Sequence, residues 1–197
     1  MTRSRHSKRR WRKRSRLSSE SFHRHIMTTR ARQDPPTTDP AERARALALA
    51  ILDRAPRSSE DLRQRLTAKG VEPEVADALI ERYIDVGLLD DTALAATIAR
   101  TRHAERGLAP RAIAVELRRK GFSADDIEAA LEPLTADTQR DTARDLAEAR
   151  WRRTEGADRE ARIRRVVGHL ARKGYSPSLA FALVQDLVRA DREAEQN

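Results

Sequence analysis

Two pairs of adjacent carboxylates, Asp90-Asp91 and Asp125-Asp126, and five scattered histidines are the side chains here that could move a proton or hold a metal. General acid–base work needs two carboxyls facing one substrate bond, and sequence neighbours on a helix point in different directions. Both pairs stand instead at expected helix starts, where capping and the helix dipole account for them. His23-x-His25 has no Cys or carboxylate beside it to complete a metal set. His169 adjoins Leu170 on an amphipathic helix and reads as a surface or boundary residue. There is no Ser-His-Asp order, no HExxH and no phosphate-cradling loop, and the seven glycines serve mainly as helix stops. The expectation is a non-enzymatic protein with no metal and no cofactor.

A second set of residues repeats. Leu66-x-x-Lys69-Gly70, Leu117-x-x-Lys120-Gly121 and Leu170-x-x-Lys173-Gly174 lie 51 and 53 residues apart. Each glycine is followed by an apolar residue (Val71, Phe122, Tyr175) and, eight positions on, by an alanine (Ala78, Ala129, Ala182). Such self-similarity marks one supersecondary unit used three times. Arginines join two of the lysines, so the candidate partner-binding residues are Lys69, Arg118, Arg119, Lys120, Arg172 and Lys173. Stacked in register, these turns would make a cationic ladder for acidic patches of a protein or for DNA phosphates. Cations at helix C-termini are also favoured by the dipole, by about a few tenths of a kcal/mol each. Both readings can hold together.

The elements that carry these turns read as helices throughout. Leu47, Ile51 and Leu52 stripe a first helix that ends before Pro56. Ser58-Ser59-Glu60-Asp61 supplies an N-cap and first-turn acids for a second, which buries Leu62 and Leu66 and stops at Gly70. Pro73 opens a third, with Val75, Ala76, Leu79, Ile80, Tyr83 and Ile84 on its inner face, and Gly87 closes it. The next unit repeats the plan. Asp90 or Asp91 caps a helix with Leu94, Ile98 and Thr101 inside, Pro110 opens one with Ile113 and Leu117, and Ser123 opens one with Ile127, Leu131 and Leu134. In the last unit a helix from about Thr138 carries Leu146 and Trp151, one from Asp158 carries Ile163, Val166, Val167 and Leu170, and Ser176-Pro177 starts the final one. Period-two alternation is absent, so no sheet is expected. The fold class is all-α, with tandem three-helix repeats at 41–89, 90–134 and 135–192. About nine helices are expected in an elongated, curved array, because a unit of roughly 50 residues buries too little apolar surface alone.

Charge separates a tail from this body. Residues 1–40 hold twelve Lys/Arg against three acids, while the rest holds 28 of each, so the whole formal excess of +9 lies in the tail. Like charges, few apolar residues and Pro35-Pro36 and Pro40 make the tail read as disordered. Trp11 among its arginines reads as incidental, with base stacking the alternative, and Met27 is a second candidate start. No apolar run approaches a membrane span or a secretory core, and there is no cysteine, which fits a reducing cytoplasm.

The stretch Arg54-Ala55-Pro56-Arg57-Ser58-Ser59-Glu60-Asp61-Leu62, the Leu-x-x-Lys-Gly turn and Gly87-Leu88-Leu89-Asp90-Asp91 with Ala95 resemble the RecX family. So do Gly107, placed ten residues before Leu117, and Ile127 and Ala130 after it. The resemblance spans roughly Ala41 to Arg189. It departs at Leu94, where the family usually has an aromatic, in the basic leader, and in a longer gap between the first two helices of the third unit. It implies a regulator of the RecA recombinase that binds the RecA–single-stranded DNA filament. Such proteins limit filament growth and so suppress ATPase, strand exchange and co-protease function in DNA repair and the SOS response. The alternative is a nucleic-acid-binding helical module that meets single- or double-stranded DNA through the Arg-rich tail and basic helix ends. A monomer is expected.

Overall fold

Nine helices and no strand make up residues 39–196, the part of the chain that the computed structural model describes. The basic tail, with Trp11, His23, His25 and Met27, lies outside the described residues. The helices fall into three consecutive triplets. The first holds α1 (Pro40–Leu52), α2 (Ser59–Thr67) and α3 (Pro73–Asp85); the second holds α4 (Asp91–Arg106), α5 (Pro110–Arg119) and α6 (Ala124–Leu131). The third holds α7 (Ala136–Arg152), α8 (Arg159–Lys173) and α9 (Pro177–Glu195). None of these helices is long and apolar enough to cross a membrane.

Local chemistry sets the boundaries. The hydroxyls of Ser58, Ser123 and Ser176 accept from the backbone N–H three residues on, at 3.2, 3.1 and 3.3 Å. Asp90 does the same for α4, accepting from Ala93 at 2.8 Å, so of the two adjacent carboxylates it is the cap. Prolines open α3, α5 and α9 in the first turn, where no N–H is needed.

Each triplet closes on its own core, and the first helix of each differs from the expected stripe. The fully buried residues of α1 are Ala44 and Ala48, those of α4 Ala95 and Ala99, and those of α7 Ala143 and Ala147. Leu47, Ile51, Leu52, Leu94, Ile98 and Leu146 are only partly buried beside them. Small residues at i and i+4 let the other two helices approach closely, and the larger side chains splay to the flanks. Ile84, expected inside, is 51% exposed. The second helices follow their patterns, with Leu62, Leu66, Ile113, Leu117, Val166 and Leu170 fully buried.

The third triplet carries a polar clasp that the others lack. The Arg162 guanidinium stacks 3.8 Å from the Trp151 ring and pairs with Asp191 at 2.6 Å. Trp151 Nε1 donates to the same carboxylate oxygen at 3.0 Å, which ties α7, α8 and α9 together. In the second triplet Arg102 forks onto Glu116 with bonds of 2.9 to 3.0 Å, joining α4 to α5.

Candidate partner-binding surface

The three Leu-x-x-Lys-Gly turns have the same backbone and different surroundings. In each, the residue after glycine returns its N–H to the leucine carbonyl: Val71 to Leu66 at 3.1 Å, Phe122 to Leu117 at 3.2 Å and Tyr175 to Leu170 at 3.2 Å. A Cβ at Gly70 would meet nothing within 4 Å, so the first turn faces open space. A Cβ at Gly121 would lie 3.0 Å from Glu60 Cβ and 3.2 Å from Ser58 Oγ. At Gly174 it would lie 2.7 Å from Ala112 Cβ and 3.1 Å from the Ala112 nitrogen. The second and third turns are therefore seated against the start of the preceding triplet's middle helix.

Two joints result. At the first, buried Ser58 donates its hydroxyl to the Lys120 carbonyl at 2.5 Å. The Asp91 carboxylate receives the Ser59 N–H with both oxygens, at 2.9 and 3.1 Å. Asp91 thus caps a helix of the neighbouring triplet rather than its own. Burial pushes its pKa up, and the bonds from Ser59 pull it back only in part. At the second joint Ala109, itself part of the third triplet's core, donates its N–H to the Lys173 carbonyl at 2.9 Å. Tyr175 Oη donates to the Gly107 carbonyl at 3.2 Å, and burial pushes that phenol up to about 12. His103 bridges the Leu108 carbonyl at 2.9 Å and Thr142 Oγ1 at 3.0 Å, linking the turn after α4 to α7. It is buried, and its Nδ1 partner is a carbonyl rather than a carboxylate, so it works as a strut.

The six candidate residues separate by this geometry. Lys69, Arg118, Arg119 and Arg172 are exposed and have no carboxylate within ion-pair distance among the described residues. Lys120 lies 3.9 Å from Glu116, and Lys173 donates its ammonium to the Arg106 carbonyl. Sequence reasoning treated each turn lysine as the residue left for a partner; Lys173 spends one of its three N–H donors on the joint. It also missed His103, Tyr175 and Ser58 as joint residues. Only the aromatic after Gly174 hinted at a contact.

Near the third turn His169 is half-buried, and burial lowers its pKa, helped by the charges of Lys173, Arg150, Arg172 and Arg153. Asp126 is held below its ordinary value by hydroxyl donors, Ser123 and Thr92, both at 2.6 Å. No three His, Cys, Asp or Glu side chains group to hold a metal among the described residues. What the arrangement supplies is two hydrogen-bonded joints between three units and a set of exposed cations at their turns.

Family models match all three triplets: RecX, first three-helix domain, at residues 44–82; RecX, second three-helix domain, at 90–131; and RecX, third three-helix domain, at 137–184. Regulatory protein RecX of Streptomyces coelicolor is 40% identical over 166 residues, covering 84% of this chain and 88% of that protein. The protein of the same description from Thermobifida fusca is 42% identical over 149 residues, covering 76% and 80%. The crystal structure of RecX from Lactobacillus salivarius superposes with a TM-score of 0.68 at 23% identity, over 76% of this chain and 97% of that one, and shares the fold. A second crystal structure, of regulatory protein RecX, gives 0.64 at 28% identity, over 75% and 72%.

Proposed function

Because this chain belongs to the RecX family of non-enzymatic RecA regulators, we propose that it binds along the RecA–single-stranded DNA filament and inhibits its growth. On this reading the ATPase, strand-exchange and co-protease activities of the filament fall with it. The observation that carries the reading is the pair of equivalent joints. A filament presents the same subunit surface at regular intervals, and units held in one register can meet successive subunits without losing much freedom on binding. The units proposed at 41–89, 90–134 and 135–192 would each offer one basic turn to that surface. The test is the single-stranded-DNA-dependent ATPase of RecA, titrated with sub-stoichiometric amounts of the full chain. Loss of ATPase with shortened filaments is expected; unchanged ATPase and filament length across the titration overturn the proposal.

A direct contact with DNA is the second reading, favoured by the exposed guanidinium groups of Arg118, Arg119 and Arg172. Each neutralised phosphate of a single strand contributes roughly −0.7 to the slope of log affinity against log salt. Residues 39–196 would then show a slope of about −2 or steeper with no RecA present. A flat slope rules the contact out.

A further inference from the structure

At the first joint the loop before α2, the α4 face and the turn after α5 enclose a cavity of about 200 Å³. Part of its lining is apolar: Pro56, Leu94, Ile98 and Phe122. The rest is cationic, with Arg57, Arg65, Arg119 and Lys120 around a single acid, Asp61. Asp61 is shared between Arg57 at 3.4 Å and Arg65 at 2.9 Å; among the described residues Lys120 has only Glu116 at 3.9 Å, and Arg119 has no carboxylate. Arg57 Nε is buried and donates to nothing. Arg150 Nε, Arg162 Nε and Tyr83 Oη are in the same condition elsewhere, so it is the clustering of cations rather than this one atom that calls for an acceptor. The dipoles of α5 and α2 favour Arg119, Lys120 and Arg65 at their C-terminal ends, but Arg57 stands just before α2, at a helix N-terminus where a cation is not favoured.

Size and chemistry narrow the occupant. Sites for small molecules run from about 300 to 1,000 Å³, so this one is too small for a nucleotide and has room for one apolar side chain. A nucleic-acid strand would use the cations, but a base needs an exposed ring face to stack on. Phe122, the aromatic of the lining, is only 6% exposed. A short acidic segment with one apolar residue satisfies all parts of the lining at once.

We propose that this cavity takes a single apolar side chain from an acidic peptide segment of a protein partner, whose carboxylates meet Arg119 and Arg57. The proposal rests on the reading of the chain as a protein-binding regulator and adds the kind of segment it grips. Because the lining comes from two triplets, a bound segment clamps the first joint shut.

The probe is a fluorescein-labelled octapeptide of Asp and Glu with one central Phe, titrated with the full chain at low salt. Binding with a dissociation constant below about 1 mM is expected. Replacing the peptide's Phe by Ala, which leaves the protein untouched, is expected to weaken it at least about tenfold. Arg119→Glu should weaken it similarly, whereas Lys69→Glu, the same charge change at a turn that faces open space, should leave it unchanged. Absence of binding overturns the proposal, as does an equal loss from Arg119→Glu and Lys69→Glu, which would show attraction by net charge alone. Displacement of the peptide by octathymidylate at equal affinity would make this a phosphate site and also overturns it. No RecA is present, so the outcome is separable from the ATPase test: inhibition without peptide binding removes this inference only, and peptide binding without inhibition removes the filament reading only.

Discussion

At the first joint a buried serine, Ser58, gives its hydroxyl to the Lys120 carbonyl; at the second a buried alanine, Ala109, gives its backbone N–H to the Lys173 carbonyl. The two donors hold the same place, eight residues before the turn leucine, and the two acceptors hold the same place in their turns. What the joints share is therefore a small buried residue docked on a turn carbonyl, and the donor group is interchangeable. The next position extends the contrast. Ser59 has an N–H that must find an acceptor, and Asp91 reaches across to supply it. Pro110 stands at the equivalent place, has no N–H, and leaves nothing to satisfy. The first joint consequently recruits a carboxylate and borders a cavity, while the second is closed by Ala109, Tyr175 and Lys173 donating to carbonyls, with no carboxylate.

The largest test of this contrast is steric. Alanine at Gly174 would press its Cβ to 2.7 Å from Ala112 Cβ, beside helix backbone, at a φ of 91°. Left-handed backbone costs roughly 1–2 kcal/mol without glycine, and crowding adds to it, so Gly174→Ala should destabilise by about 3 kcal/mol. At Gly121 the neighbour is the Glu60 side chain, which can swing away, and the loss should be about 2 kcal/mol. Gly70→Ala should lose only the backbone share of about 1 kcal/mol. Urea unfolding of the three variants checks the order, and equal losses would break the distinction between seated and open turns.

Ser58→Ala comes next, because Ser58 both caps α2 and bonds the Lys120 carbonyl. About 2 kcal/mol is expected. If the chain at 58 shifts to donate its N–H as Ala109 does, the loss shrinks below about 1 kcal/mol and the joints are interchangeable in fact. Tyr175→Phe leaves the Gly107 carbonyl without its donor at the second joint and should cost about 1 kcal/mol in the same assay.

Acid titration separates the first joint from the ion pair between α4 and α5 more gently. The Asp91 pKa is raised above its ordinary 3.8 by burial, so its charged form opposes folding. Its contribution is most favourable below 3.8 and declines as pH rises through the raised value. The Glu116 pKa is lowered from 4.5, chiefly by its bonds to Arg102, so its contribution is present above 4.5 and is lost as pH falls through the lowered value. Stability measured from pH 3 to 7 should fall more steeply on the acid side in Asp91→Asn and less steeply in Glu116→Gln. An unchanged slope in Asp91→Asn would mean that Asp91 is not desolvated at the joint. The smallest expected effect is that of Lys173→Met, about 0.5 kcal/mol for the bond to Arg106, against none for Lys69→Met.

Nine helices were legible before any coordinates because their signals are local. Ser58, Ser123 and Ser176 cap within three residues, prolines start, glycines stop, and the buried aliphatic residues of the second helices recur at i and i+4. The Asp90-Asp91 pair was half legible. Asp90 caps its own helix, as position predicts, but Asp91 bonds to a residue 32 positions away, and nothing local announces that. The basic turns were visible as a set of six, while their division was not, since Lys173 meets a carbonyl 67 residues earlier and Lys69 meets none.

The amino-acid sequence by itself determined the three-fold repeat, the helices and their buried faces, because capping, turn chemistry and the 3.6-residue period act within one or two turns of chain. It also determined that residues 41–197 carry no net charge of their own to attract DNA. Tertiary structure alone decided which copy of the repeated turn is a joint and which is an open surface. Identical five-residue signatures become different objects according to what packs on them, and that depends on side chains fifty or more residues away.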